Sequence, residues 1–354
     1  MANLKNLVNK EITFENHNIK NLRVASVVRT SKNKTYTIQT SDGQMLDTTP
    51  RFWSSFNRLN KINDKLYNLF SVEEVFNRVA ERRGGAMQIA IEKDFDTGRM
   101  KALSATPQNK GFLPADSILN ILFSQGAVDV RYENGRIQGF LSPEHEARDL
   151  KIGPDAFQLR NLVSIPVDGY GLPSMTVSLL RLICSNGIVG LTNAFSSDIK
   201  VGGSGKDNEI FNLSRGLEAF SNEKAQDLLI RRIENSRKSI ASLSELEAAK
   251  FTLIKAGVEA EYQKPLEKAI FEVLRRHGIA TINNLTEKQK RLVQTNFSVY
   301  DMLNLLTEIS THKVDSLADK SKIQGHIGEL ITKEFDLEGL GEEKTQYVSL
   351  FFAS

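Results

Sequence analysis

Arginine is the residue type through which this sequence offers most chemistry. Arg82 and Arg83 stand before a glycine pair, and Arg131 and Arg136 flank an Asn134-Gly135 tip. Arg160 and Arg181 fall in extended runs, and Arg231, Arg232, Arg237 and Lys238 follow one another along a helical stretch. Guanidinium groups bind phosphate oxygens through paired hydrogen bonds, so a row of them could line a groove that tracks a nucleic-acid backbone. Tyr132, Phe140 and Phe157 are interleaved with these arginines and would add faces on which unpaired bases stack. Clusters of this kind are equally common as ordinary solvated faces, and their spacing does not decide between the two.

The other chemistry-bearing residues fall short of a motif. Lys200-Val201-Gly202-Gly203-Ser204-Gly205-Lys206 approaches a phosphate loop, yet Lys200 stands where the first glycine belongs and Asp207 where the magnesium-binding hydroxyl belongs. His145-Glu146 would open a zinc-protease string if a second histidine stood at 149, but that residue is Asp149. His17, His277, His312 and His326 share no ligand spacing. Cys184 lies in an apolar run ending at a turn, where a buried small hydrophobe is expected over a nucleophile that needs a base and an electropositive setting. No catalytic residue, metal or cofactor is therefore expected, and an enzyme ranks behind binding and assembly functions.

These residues need elements to position them. Val24, Val27 and Val28, then Tyr36 and Ile38, alternate as strands around turns at Ser31 to Lys34 and Asp42-Gly43, which reads as a β-meander. Pro50 introduces Phe52, Trp53, Phe56 and Leu59 at helical spacing, a stripe expected to be core. Ser71 with Glu74 is a capping-box pattern opening a helix that closes at Gly84-Gly85, and Asn134-Gly135 predicts a type I′ hairpin turn. Extended runs follow at Phe157 to Val163 and Met175 to Cys184, separated by Asp168-Gly169-Tyr170-Gly171. In all, about eight strands and three or four helices are expected in the first 200 residues.

From Glu209 onward the periodicity turns helical, with no strand expected before the very end. Pro265 is read as a first helical residue, Thr286 with Gln289 as a second capping box, and Ser298 as the start of a helix carrying Leu303, Leu306 and Ile309. The expected fold class is α+β: residues 1–48 a β-meander, 49–205 an α+β core, and 206–354 a mostly helical region.

Composition bounds the alternatives. The chain has 354 residues, so two or three packed units are expected. Its 40% hydrophobic and 25% charged content argues against disorder, a collagen-like chain or a membrane protein. A net charge of +3 is too mild to identify a nucleic-acid binder by itself. One cysteine suits a reducing compartment, the opening residues lack the apolar core of a signal peptide, and no stretch reaches a membrane span, so a cytoplasmic location is expected.

The segment Leu180 to Gly187, preceded by Asp168-Gly169 and an extended Met175 to Leu180, resembles the phage- and plasmid-borne family catalogued as domain of unknown function 932. Leu69-Phe70-Ser71-Val72-Glu73-Glu74-Val75-Phe76 and Tyr300-Asp301-Met302-Leu303-Asn304-Leu305-Leu306-Thr307-Glu308 agree with it, although Leu305-Leu306 departs from the small residues expected there. Arg181, Cys184 and Asn186 match the best of these motifs, for which a packed turn is as good an account as a binding site. The resemblance implies a mobile-element protein in the cytoplasm of a bacterial host and transfers no activity. The leading expectation is a non-enzymatic phage or plasmid protein that binds nucleic acid, as single strands in replication or recombination, through Arg82, Arg83, Arg131, Arg136, Arg160, Arg181, Arg231 and Arg232. The alternative is a self-assembling phage component or an anti-defence protein. Expected partners are accordingly single-stranded nucleic acid, further copies of the chain, or a host or phage protein, and no membrane.

Overall fold

The computed structural model describes residues 9–29, 34–83, 85–141, 149–152, 155–181, 186–189, 196–199, 206–218 and 223–332. The fold is α+β, with strands dominating the first half and helices the second. Among the described residues, the first 200 positions hold thirteen strands and three α-helices, more strand than the sequence indicated. Contacts divide the chain into two units, neither continuous: Met1–Leu141 with Val163–Ser174 and Asp198–Ala219, and Ser142–Leu162 with Met175–Ser197 and Phe220–Ser354. The sequence pointed to three consecutive regions instead.

In the first unit, β1 (Lys10–Asn18), β2 (Arg23–Arg29), β3 (Lys34–Gln39), β4 (Met45–Thr48), β5 (Ala86–Asp94) and β6 (Met100–Pro107) form a sheet in the order β1-β5-β6-β4-β3-β2. The expected meander is β2-β3-β4. β4 joins β6 in parallel, and β1 runs antiparallel to β5 from Lys10↔Asp94 to Asn18↔Ala86. Between β4 and β5 come α1 (Pro50–Asn60) and α2 (Val72–Arg83). Thr49 caps α1: its hydroxyl accepts from Phe52 N at 3.1 Å and faces the carbonyls of Ala102 and Leu103 on β6, so the cap also ties the helix to the sheet. Phe52, Phe56 and Phe76 are fully buried and lie ring to ring, which confirms the aromatic stripe as core.

α2 opens with the expected reciprocal cap, Glu74 N donating to Ser71 Oγ at 3.2 Å and Ser71 N to a Glu74 carboxylate oxygen at 2.8 Å. The unit continues through α3 (Ala115–Ser124) to a hairpin of β7 (Val128–Glu133) and β8 (Arg136–Leu141). Asn134 and Gly135 take φ of 45° and 83°, as a type I′ turn requires. α4 (Lys206–Glu218) also belongs here.

The second unit contains β9 (Asp149–Ile152), β10 (Asp155–Pro166) as far as Leu162, β11 (Ser174–Arg181) from Met175, and β12 (Asn186–Val189). β9 runs antiparallel to β10, and β12 to β11, which also pairs with β13 (Ser196–Asp198). Phe157 and Leu159 on β10, with Val177 and Leu179 on β11, pack into one hydrophobic core with the helices that follow. These are α5 (Glu223–Ser236), α6 (Leu243–Lys255), α7 (Ala260–Arg276), α9 (Val299–His312) and α10 (Leu317–Thr332), with the short α8 (Glu287–Leu292) between α7 and α9 in the chain. The capping boxes at Ser242-Glu245 and Thr286-Gln289 start α6 and α8.

Four expectations are corrected here. A strand pair, β14 (Ile240–Ser242) and β15 (Gln294–Ser298), lies inside the region read as purely helical. Its strands are three and five residues long, too short for alternation to show. α7 begins at Ala260, so Pro265 is an interior residue, displaced past the first turn where its missing N–H would be harmless. α5 ends at Ser236, which leaves Arg237 and Lys238 beyond the basic helix in a turn. Leu303, Leu306 and Ile309 are at most 2% exposed, so this face of α9 is core and presents nothing to a partner.

Candidate functional site

In the first unit, two buried carboxylates organise the polar side chains around the β7–β8 hairpin. Asp168 follows β10 in the Asp168-Gly169-Tyr170-Gly171 turn and is fully buried. Arg51, from the first turn of α1, meets both of its oxygens, Nε to Oδ2 at 2.9 Å and Nη2 to Oδ1 at 2.8 Å. Arg51 Nη2 also donates to Tyr170 O at 2.7 Å, and the guanidinium lies 5.3 Å from the Tyr170 ring centroid. Tyr170 N donates to Oδ1 at 3.1 Å, and the Ser104 hydroxyl donates to the Asp168 backbone carbonyl. Burial raises the Asp168 carboxyl above its ordinary value, against the opposing pull of Arg51.

Glu92 on β5 is the second. Lys10 and Lys101 approach one of its oxygens at 3.2 and 3.3 Å, and the Tyr132 hydroxyl donates to the other at 2.5 Å. The same hydroxyl accepts from Gly135 N at 3.1 Å. Burial, reinforced by the Glu92 charge, pushes the Tyr132 phenol far above its usual value and keeps it a donor. At the hairpin tip, Gly135 O accepts from Val167 N at 2.9 Å, and a Cβ on Gly135 would stand 2.7 Å from that of Asp168. Glu92, Tyr132, Gly135 and Asp168 thus form one linked set that fixes the tip. Arginine, lysine, tyrosine and backbone N–H groups hold both carboxylates, so this set acts as an anchor.

Arg136 stands directly after that tip. It is half-buried, its Nε is buried without a hydrogen-bond partner, and it forms no ion pair among the described residues. Burial and the nearby charge of Arg51 lower its pKa. Two guanidiniums therefore share the neighbourhood of one carboxylate, and Arg51 occupies that carboxylate. Arg131, half-buried on β7, belongs to the same hairpin, opposite Gln138. Arg82 is exposed on α2, of which Arg83 is the last residue. With Arg78, Arg82 borders a cavity of about 310 Å³.

In the second unit, Arg160 is half-buried on β10, donating from Nη2 to Gln158 at 3.3 Å while its Nε stays buried without a partner. Arg232 on α5 is half-buried with the same unpartnered Nε, and its neighbour Arg231 is exposed. Arg181 ends β11 in register with Asn186 at the start of β12. Cys184, His145 and the glycine loop 202–205 lie outside the described residues.

The stacking platforms are a correction. Tyr132 is 5% exposed and Phe157 fully buried, because both occupy inward positions of alternating strands; Phe140 alone is half-exposed. Sequence reading also missed Arg51 and Glu92, and did not place Arg78 and Phe70 among the candidate site residues. Glu92, a charge directly after the largely apolar run Met87 to Ile91 of the same strand, was the available signal for a buried carboxylate. No group of three or more His, Cys, Asp or Glu among the described residues is arranged to hold a metal, and no helix there is long and apolar enough to cross a membrane.

No model of a known protein family matches the chain, and neither a curated protein nor a solved structure does. The resemblance to the phage- and plasmid-borne family thus rests on its short motifs alone.

Proposed function

We propose that this chain is a non-enzymatic nucleic-acid-binding protein of a mobile element that engages single strands during replication or recombination. One observation carries the reading. Arg136, Arg160 and Arg232, all nominated from sequence, are half-buried cations with an unpartnered Nε and no carboxylate paired to them among the described residues. A buried donor without a partner and a half-buried cation held in no ion pair are both unfavourable, and a polyanion arriving from outside neutralises the charge. Each guanidinium contributes one phosphate contact, so affinity depends steeply on salt.

The test is fluorescence anisotropy with single-stranded and duplex oligonucleotides across a salt series. Tight single-strand binding whose logarithm falls linearly with the logarithm of salt is the expected result. Absence of binding to either form at low salt ends the proposal.

A second reading, a self-assembling or host-interacting component, draws on Phe251 and Ile254 of α6 and Phe271 of α7, which are 55%, 51% and 66% exposed. Its check is the mass in solution: a strict monomer that recovers no host protein in pull-down removes it.

A further inference from the structure

We infer that the cavity beside α2 is a nucleotide site, which holds one base of a bound single strand against Phe70 and its phosphate at Arg82. The inference rests on the single-strand reading above but on different residues. The cavity, about 310 Å³, is bounded by Ile62, Phe70, Val75 and Val79, with Arg78 and Arg82 at its edge. That volume is at the lower end of small-ligand pockets, roughly 300–1,000 Å³, and fits a base with its sugar better than a larger cofactor.

Its chemistry is amphipathic in the way a nucleotide is. The walls are aliphatic and aromatic, and Leu66 at the edge leaves apolar surface open to water. The Arg78 guanidinium lies 4.7 Å from the Phe70 ring centroid, a cation–π contact at the wall against which a base would lie. Arg78 and Arg82 are exposed and one helical turn apart, an arrangement in which like charges repel. Neither forms an ion pair among the described residues; Glu74, the turn before Arg78, feels the Arg78 charge but directs an oxygen to Ser71 N and Ser71 Oγ at 2.8 Å each. An anion is therefore the complement of this edge, and a flat ring is the complement of its wall.

The experiment uses the full chain, a fluorescent oligothymidylate, an abasic strand of equal length, and thymidine monophosphate. The wild type is expected to bind the base-bearing strand about tenfold more tightly than the abasic one. Phe70→Leu, which keeps apolar volume and removes the ring, is expected to erase that preference. Arg82→Gln, on the surface, is expected to weaken both strands alike. If both variants bind as the wild type does, the site is overturned while strand binding stands. If the wild type binds no strand, the functional proposal fails by itself, and the site is judged by the Val75 and Val79 methyl resonances on adding thymidine monophosphate. Unmoved methyls then overturn the site, and shifted ones overturn its assignment to a strand.

Discussion

Arg51 grips the Asp168 carboxylate in a two-bond fork, Nε to Oδ2 at 2.9 Å and Nη2 to Oδ1 at 2.8 Å, from a position 117 residues earlier in the chain. Asp168 is wholly buried while Arg51 remains 21% exposed, so removing the arginine strands a charge inside the protein. Arg51→Ala is expected to destabilise by about 3–5 kcal/mol. Arg51→Lys should recover only part of this, because one ammonium cannot meet both oxygens in the planar geometry of the fork. Urea unfolding reads both, and a lysine variant as stable as the wild type would refute the fork as the source of stability.

Gly135 answers two demands at once. Its φ of 83° disfavours any side chain, and the Asp168 Cβ lies 2.7 Å from where its own Cβ would stand. Gly135→Ala should therefore cost more than the roughly 1–3 kcal/mol of backbone strain alone. The comparison is Gly43→Ala, where φ is 86° and nothing lies within 4 Å of the added Cβ. Equal losses at the two glycines would show that the approach to Asp168 is not felt.

Tyr132 can be tested by deleting one atom. Tyr132→Phe removes the donor to Glu92 and leaves Gly135 N without its acceptor, while Lys10 and Lys101 still neutralise the carboxylate. The expected loss is about 1–3 kcal/mol, set by the orphaned buried groups. Thermal unfolding that is unchanged in the variant would mean that water or backbone movement replaces the hydroxyl.

Local features of this fold were readable and long-range ones were not. The caps at Ser71-Glu74 and Thr286-Gln289 and the Asn134-Gly135 turn are set by neighbours within three residues, so the chemistry that specifies them is contiguous in the chain. The pairing of Lys10 with Asp94, and of Arg51 with Asp168, depends on how separate segments pack, which no window of residues contains. Alternation on β7 and β10 identified strands at Tyr132 and Phe157 without revealing which face is inward. That one ambiguity turned core aromatics into apparent stacking platforms. The arginines were found by type, whereas the unpartnered Nε of Arg136, Arg160 and Arg232 is visible only once their neighbours are located.

Acid should weaken the β5–β6 turn. The Asp94 carboxyl is held below the usual aspartate value, chiefly by the N–H of Thr97, with that of Asp96 and the charge of Lys10 acting in the same direction. A depressed folded-state pKa means the unfolded chain binds the proton first, so the contribution is present above the unfolded value near 3.8 and disappears as pH falls through the folded one. Wild type and Asp94→Asn should differ in melting temperature at neutral pH and converge on acidification below about pH 4. A difference that persists undiminished at low pH would contradict the assignment.

Arg136 separates a binding role from a structural one. Its Nε has no hydrogen bond to lose, and burial together with the charge of Arg51 disfavours its cation by more than the nearby Asp168 carboxylate favours it. Arg136→Gln is therefore expected to leave unfolding stability unchanged or raised, unlike Arg51→Ala. If the guanidinium meets a phosphate, the same substitution should weaken single-strand binding and reduce the slope of log affinity against log salt by about 0.7, the value for one contact on a single strand. A variant that is destabilised but keeps the full salt slope would place Arg136 among the residues that hold the hairpin rather than among those that hold a ligand.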